Sequence, residues 1–224
     1  MSPDILLTLW LSPAFPVGAF AYSHGIEWAT EAGDVRNEET LVAWLTDLLQ
    51  HGGARTDSFL LAESLRATVA RDALRLRDAN DLALALAPSS ERRLETAQQG
   101  KSFQAAIAAA WSNPTVEWIA ETLADEIAYP VAVGAACAAH DIPPARACEA
   151  FALGFVANLV SAAVRLSVIG QTQGQRALAA MAAPVAALGA VAAEAALDDL
   201  GAAALRSDIA SMRHETQYSR LFRS

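Results

Sequence analysis

Apolar residues recur along this chain at intervals of three and four, the spacing of one helix face. Leu41, Trp44, Leu45, Leu48 and Leu49 share such a face. Asn37 stands before them as a cap, Glu38 and Glu39 occupy the first turn, and Gly52-Gly53 ends the run. Leu61, Ala62, Leu65 and Val69 are in phase over about 55–69, and Phe103, Ile107 and Trp111 over 90–111. Asn113-Pro114 opens a further helix, with Pro at its first position and Glu117 near its positive end. Its stripe is Val116, Ile119, Ala120, Leu123 and Ile127, and Tyr129-Pro130 is expected to bend or stop it. Leu82 to Leu86 alternates like a strand, but Leu and Ala favour helix, so helix is expected there too.

The second half is richer in small residues. Ala132, Gly134, Ala135, Ala136, Ala138 and Ala139 follow Pro130. Small side chains let helix backbones approach closely, so this run predicts a tight central helix or, alternatively, a homodimer seam. Pro143-Pro144 starts a long apolar helix expected to end at Gly170, and Gly170 to Gly174 is expected to be a turn. Near the start, Pro16 and Gly18 set a turn, after which a helix carrying Tyr22, His24 and Glu27 is expected. No linker rich in Pro or Ser divides the chain. The prediction is an all-α, single-domain helical bundle of about ten helices over residues 1–206. A C-terminal interaction tail follows over 207–224. Arg213, Arg220 and Arg223 stand against Glu215 in that tail, beside the large apolar Tyr218, Leu221 and Phe222. These residue types anchor interfaces.

Composition narrows the function. The 224 residues carry a formal charge of -9, which repels phosphate backbones and argues against nucleic-acid binding. Cys137 and Cys148 are too few for a disulfide framework, and Met1-Ser2-Pro3-Asp4 lacks the basic start of a secretory signal. A cytoplasmic protein is expected. The uncharged stretch from Ala177 to Ala193 is dominated by Ala and broken by Pro184 and Gly189, so it is expected to be a buried helix and not a membrane span.

Chemistry is scarce. Gly100-Lys101-Ser102 resembles the end of a phosphate-binding loop, but Glu95 stands where that loop needs glycine, and the flanking pattern is helical. Cys137 and His140 share a helix face and could share one metal, with Asp141 as a third ligand, and His214 is a further metal candidate; a buried thiol beside a helix-end histidine is the favoured reading. Ser23-His24 lacks a third catalytic partner. No catalytic residue and no bound cofactor are predicted, so the chain is expected not to be an enzyme.

Several segments together resemble the UreF family of urease accessory proteins. They are Pro16-Val17-Gly18, Phe20, Tyr22-Ser23-His24-Gly25 and Glu27; then Glu95-Thr96, Gln99-Gly100 and Ser102-Phe103; then Tyr129-Pro130-Val131. The series continues with Asn158 to Leu166, Gly170-Gln171 and the terminal Arg213 to Ser224. The resemblance runs from about residue 5 to the end, but leaves 68–88 and 177–204 without a matching motif.

The resemblance implies an all-α homodimer that matures the nickel site of urease without catalysis of its own. It implies a scaffold bridging UreD/UreH to the GTPase UreG, which binds the GTP, while the assembly as a whole delivers nickel to apo-urease. The tail, with Arg213, His214, Glu215, Tyr218, Arg220, Leu221, Phe222 and Arg223, is then the expected UreD/UreH-binding arm. Leu221 and Phe222 are expected to set affinity, and the arginines to orient. Tyr22, His24, Glu27, Gln99 and Arg165 are the further partner-binding candidates. Arg165 lies in an apolar helix, so it needs a buried ion-pair partner, the favoured reading, or serves the GTPase as a charge-stabilising finger. A direct nickel relay through Cys137, His140 or His214 is the alternative function.

Overall fold

The computed structural model describes residues 1–201 and 203–224. Helices dominate, and no β-strand occurs among the described residues. The α-helices are α1 (Pro3–Trp10), α2 (Ile26–Glu31), α3 (Glu38–His51), α4 (Gly53–Val69), α5 (Ala73–Ala85) and α6 (Ser90–Ala110). They continue with α7 (Pro114–Thr122), α8 (Tyr129–Ala139), α9 (Pro144–Arg165), α10 (Gln171–Glu194) and α11 (Leu205–His214). The all-α bundle expected from the sequence is therefore the fold.

Helix α4 is the axis of the molecule, packing against α3, α5, α8, α9 and α10. Its neighbour α8 is buried along nearly its whole length. The small residues of α8 explain how. A Cβ on Gly134 would lie 2.2 Å from the Leu61 carbonyl oxygen and 2.2 Å from Ser64 Oγ. Only glycine permits that backbone approach. The Ser64 hydroxyl then donates to the Leu61 and Val131 carbonyls, at 3.0 and 3.1 Å. The small-residue run is thus spent inside the chain, as a tight central helix, and is not exposed as a seam for a second copy.

Local capping sets most boundaries. The Asn37 side chain accepts from Thr40 N at 2.9 Å, while Thr40 Oγ1 accepts from Asn37 N, closing the start of α3. Asn113 Oδ1 accepts from Thr115 N and Val116 N at α7. Four expectations are corrected. The chain leaves α7 at Thr122, and Tyr129-Pro130 opens α8 instead of stopping its predecessor. The connecting turn is held by Asn80, whose Nδ2 donates to the Glu126 carbonyl and whose Oδ1 accepts from Ala128 N. Proline suits the first turn of α8, where its missing N–H is no loss. Helix α9 ends at Arg165, because Ser167 takes a positive φ of 60°. The residues after Gly170 begin α10, with Gln173 Oε1 accepting from Gly170 N at 2.8 Å. Last, Tyr22 and His24 precede α2 and are not helical.

Helices α9 and α10 are long and apolar enough to cross a membrane by length and composition. Here they pack on one another and on α4, lending Phe151, Val156, Leu159, Met181 and Val185 to the core.

Candidate functional site

The two stretches most conspicuous in the sequence meet in space. Residues 15–27 reach the site through a turn with Gly18 at φ 72° and Gly25 at φ 78°. Gly25 is doubly required. Its φ favours glycine, and a Cβ there would stand 2.8 Å from Ser211 N on α11. That close approach seats α11 beside α2 and brings the segment after His214 back over the 15–27 loop. The boundary expected between 206 and 207 falls within α11.

Glu27 anchors the returning segment. Its carboxylate accepts from Leu221 N at 2.6 Å and from Phe222 N at 2.8 Å, and lies 3.2 Å from His214 Nε2. The other ring nitrogen of His214 is 2.6 Å from Glu91 Oε2, and Arg220 reaches the same carboxylate from outside. His214 is fully buried. Main-chain pairing completes the seam: Arg223 N donates to the Ala21 carbonyl, and Ser23 N donates to the Ser224 oxygen at 2.7 Å. Ser23 Oγ donates to the same oxygen. Glu215 accepts from Ser90 N and Ser90 Oγ at the start of α6, where helix N–H groups lack internal partners. Those bonds hold its carboxyl below the usual range.

Behind the seam lies a buried polar cluster around Glu95. It contacts Arg92, lies 2.9 Å from His24 Nε2, and accepts from Gln99 Nε2 at 2.9 Å and Ser224 Oγ at 2.7 Å. Burial alone would raise this carboxyl, but Arg92, His24 and Ser224 outweigh it and hold it down to about 2. His24 is also lowered: burial and then Arg92 disfavour its charged form, against the opposing pull of Glu95. Tyr22 is buried and donates through its hydroxyl to Gln98 Oε1 at 2.8 Å, and Asn158 donates to the Tyr22 carbonyl.

The expected partner residues therefore divide. Tyr22, His24, Glu27, Gln99, His214 and Phe222 face inward and hold the segment down. Tyr218 is fully exposed and Leu221 is 57% exposed, with Arg213, Arg220 and Arg223 also on the surface. Phe222 is 4% exposed. In this arrangement it anchors the segment to its own body, which corrects its expected place as a free hydrophobic anchor. The ion pair expected for Arg165 is also corrected. The residue is exposed, its guanidinium stands 4.3 Å from the Phe222 ring centre, and it donates to the Phe20 carbonyl. A flat, weakly hydrated cation is satisfied by an aromatic face. Glu91, Arg92, Glu95 and Ser23 were not among the expected site residues. Their helical charge pattern resembles a solvated face until the tail is laid over it.

The metal candidates separate as well. Cys137 is buried, and burial, with Cys148 nearby, pushes its thiol far up. His140 packs edge-on to Trp10 with ring centres 5.2 Å apart, and His214 has a carboxylate at each nitrogen. Among the described residues no three His, Cys, Asp or Glu side chains converge to hold a metal ion. Gly100-Lys101-Ser102 lies inside α6, where a Cβ on Gly100 would come within 2.0 Å of the Ile127 carbonyl oxygen. That glycine serves helix packing and not phosphate binding.

An all-helical body whose most connected polar residues hold a terminal segment along its surface defines a class: helical proteins with a docked arm. Comparison with known proteins gives the family. A UreF family model matches residues 35–182. The urease accessory protein UreF of Methylobacterium sp. (strain 4-46) is 55% identical over 220 residues, covering 98% of this chain and 88% of that protein. That of Xanthobacter autotrophicus is 54% identical over 225 residues, covering 100% and 93%. That of Methylorubrum populi is 53% identical over 224 residues and covers both chains fully. The chain belongs to the UreF family.

Proposed function

We propose that this protein is a non-catalytic urease accessory protein: a cytoplasmic, homodimeric scaffold that joins UreD/UreH to the GTPase UreG. In this reading nickel insertion into apo-urease is the work of the assembly, and GTP is bound by UreG. The observation that carries the reading is the division within the C-terminal segment. Inward residues clamp it to the body, while Tyr218, Leu221, Arg213 and Arg223 are left outward with no intramolecular use for two large apolar side chains. A pre-ordered arm loses less conformational entropy on binding than a disordered one. Tyr218 and Leu221 then supply the affinity for UreD/UreH, and the arginines orient the approach.

Co-purification tests the scaffold. The full chain is expected to carry UreD/UreH and then UreG. A chain ending at Ser211, and a full chain with Tyr218→Ala and Leu221→Ala together, are expected to lose UreD/UreH. Retention by both would refute the assignment of the arm. Light scattering at micromolar concentration is expected to give twice the 23.6 kDa chain mass; a clean monomer, with or without UreD/UreH, would remove the dimer. For UreG, Arg165 is the basic candidate beside the seam. Unchanged UreG turnover with Arg165→Ala protein would leave that residue its structural part only, against Phe20 and Phe222.

A further inference from the structure

Two pockets that open to the surface adjoin one another, away from the outward face of the arm. One, of about 190 Å³, lies between α3, α4, α5 and α11 and is walled by Leu48, Leu86 and Asp208 among others. The second, of about 170 Å³, lies beneath the 11–20 loop and α9. His24, Asp57, Arg92, Thr96 and Phe155 line both. These five residues form the neck between the two spaces.

The charges at the neck do not balance. Arg92 is taken by Glu95, and His24 faces the same carboxylate. Asp57 has no hydrogen-bond partner among the described residues, and on the α11 wall the Asp208 carboxyl has none either. His51 of α3 is the remaining titratable group on the wall of the first cavity. The groups facing Asp57 are thus Arg92 and Glu95 of α6, His24 of the loop, His51 of α3 and Asp208 of α11. An anion would meet two unpaired carboxyls. A neutral apolar guest would leave Asp57 stripped of water and unpaired. A divalent metal needs several ligands, and no three suitable side chains converge here among the described residues.

We propose that the neck beside Asp57 is a binding site for an organic cation, a guanidinium or ammonium group on a short apolar stem. The head pairs with Asp57, with Asp208 adding to the field, and the stem lies against Leu48, Ala83, Leu86 and Phe155. Burial pushes the Asp57 carboxyl up to about 6 against the opposing pull of Arg92. A cation that binds the ionised form relieves this cost and draws the group back down. The same chemistry arrives on a free amine or guanidine or on an arginine or lysine side chain of another protein.

The test uses the full chain, with n-butylguanidinium as the probe, 1-pentanol as a neutral counterpart and a capped Gly-Arg-Gly peptide as the side-chain source. Binding is followed by amide and methyl NMR shifts. The expected result is saturable shifts at Asp57, Ala83 and Asp208, with Kd on the order of 1 mM for a probe of about eight non-hydrogen atoms. Affinity should rise about tenfold between pH 5 and pH 7 as Asp57 ionises. Asp57→Asn should weaken binding about tenfold or more, and Asp208→Asn by a smaller factor. The pH and pentanol arms use the unaltered protein, so they stand even if a variant misfolds. Tighter binding of the peptide than of the free probe assigns a protein side chain as the source; the reverse assigns a small molecule. Equal affinity for 1-pentanol, a flat pH profile, or displacement of the probe by nickel ion with the same residues shifted would each overturn the proposal.

Discussion

Replacing Glu27 by alanine should loosen the C-terminal segment without unfolding the body. The carboxylate accepts two main-chain N–H bonds, from Leu221 at 2.6 Å and Phe222 at 2.8 Å, and faces His214. Bonds to a charged group contribute about 1.5–3 kcal/mol each. Two of them therefore stabilise docking by about 3–6 kcal/mol, before relaxation and water entry reduce it. Even the lower figure is roughly a 150-fold change in the equilibrium between docked and released segment. Native-state hydrogen exchange reads this directly, because the amides of Leu221 and Phe222 are the groups released. Their protection should fall by about two orders of magnitude, while amides of α4 and α8 keep theirs. Trypsin should also cut faster at Arg213, Arg220 and Arg223. Glu27→Gln should lie between wild type and alanine, since its amide oxygen still accepts from one main-chain N–H while its NH2 group faces the other donor. Unchanged protection at Leu221 and Phe222 in Glu27→Ala would refute the account, and equal loss throughout α4 would show that the segment is not a separable unit.

Three further outcomes follow from the same geometry. Glu95 is held down to about 2 from an ordinary value of 4.5, so its contribution to stability is full above about 4.5 and lost as pH falls toward 2. The shift corresponds to roughly 3 kcal/mol, read as the difference in denaturation free energy between wild type and Glu95→Gln over pH 2–6; a pH-independent difference would refute it. Asp57, whose raised value of about 6 acts oppositely by removing stability as pH rises from about 4 to 6, is itself raised in part by Glu95, so the comparison is made in an Asp57→Asn background. Gly100→Ala should cost at least about 1–3 kcal/mol in thermal or chemical denaturation, because the added methyl group meets the Ile127 carbonyl inside the core. Gly25→Ala should instead act locally, freeing α11 and raising proteolysis at Arg213, because its Cβ meets Ser211 N; a wild-type digestion pattern would contradict the docking described.

The helices were legible in the sequence because each carries its own signal. The Asn37 cap, the Asn113-Pro114 start and the three-and-four spacing of Leu41 to Leu49 act over one or two turns, and they are satisfied where they stand. Class, helix number and the place of α9 in the core followed from such local rules and from composition, whereas α10, expected to be buried, buries only one face. The boundaries that escaped depend on distant atoms. The chain leaves α7 early because Asn80, on α5, satisfies the turn before Tyr129. Tyr22 and His24 stay out of α2 because the Gly25 backbone must pass close to α11. The site divides in the same way. Motif residues such as Glu27 and Phe222 stood out as residue types, but their pairing spans 195 positions. No periodicity encodes a contact of that length. The sequence by itself determined that this chain is an all-helical UreF-like protein with unusual residues near both ends. Only the tertiary structure decided that those ends bind each other, that Arg165 rests on Phe222, and that Asp57 stands unpaired between two cavities. The physical reason is that burial and partner choice are properties of the assembled fold, where desolvation sets the cost of every polar group left alone.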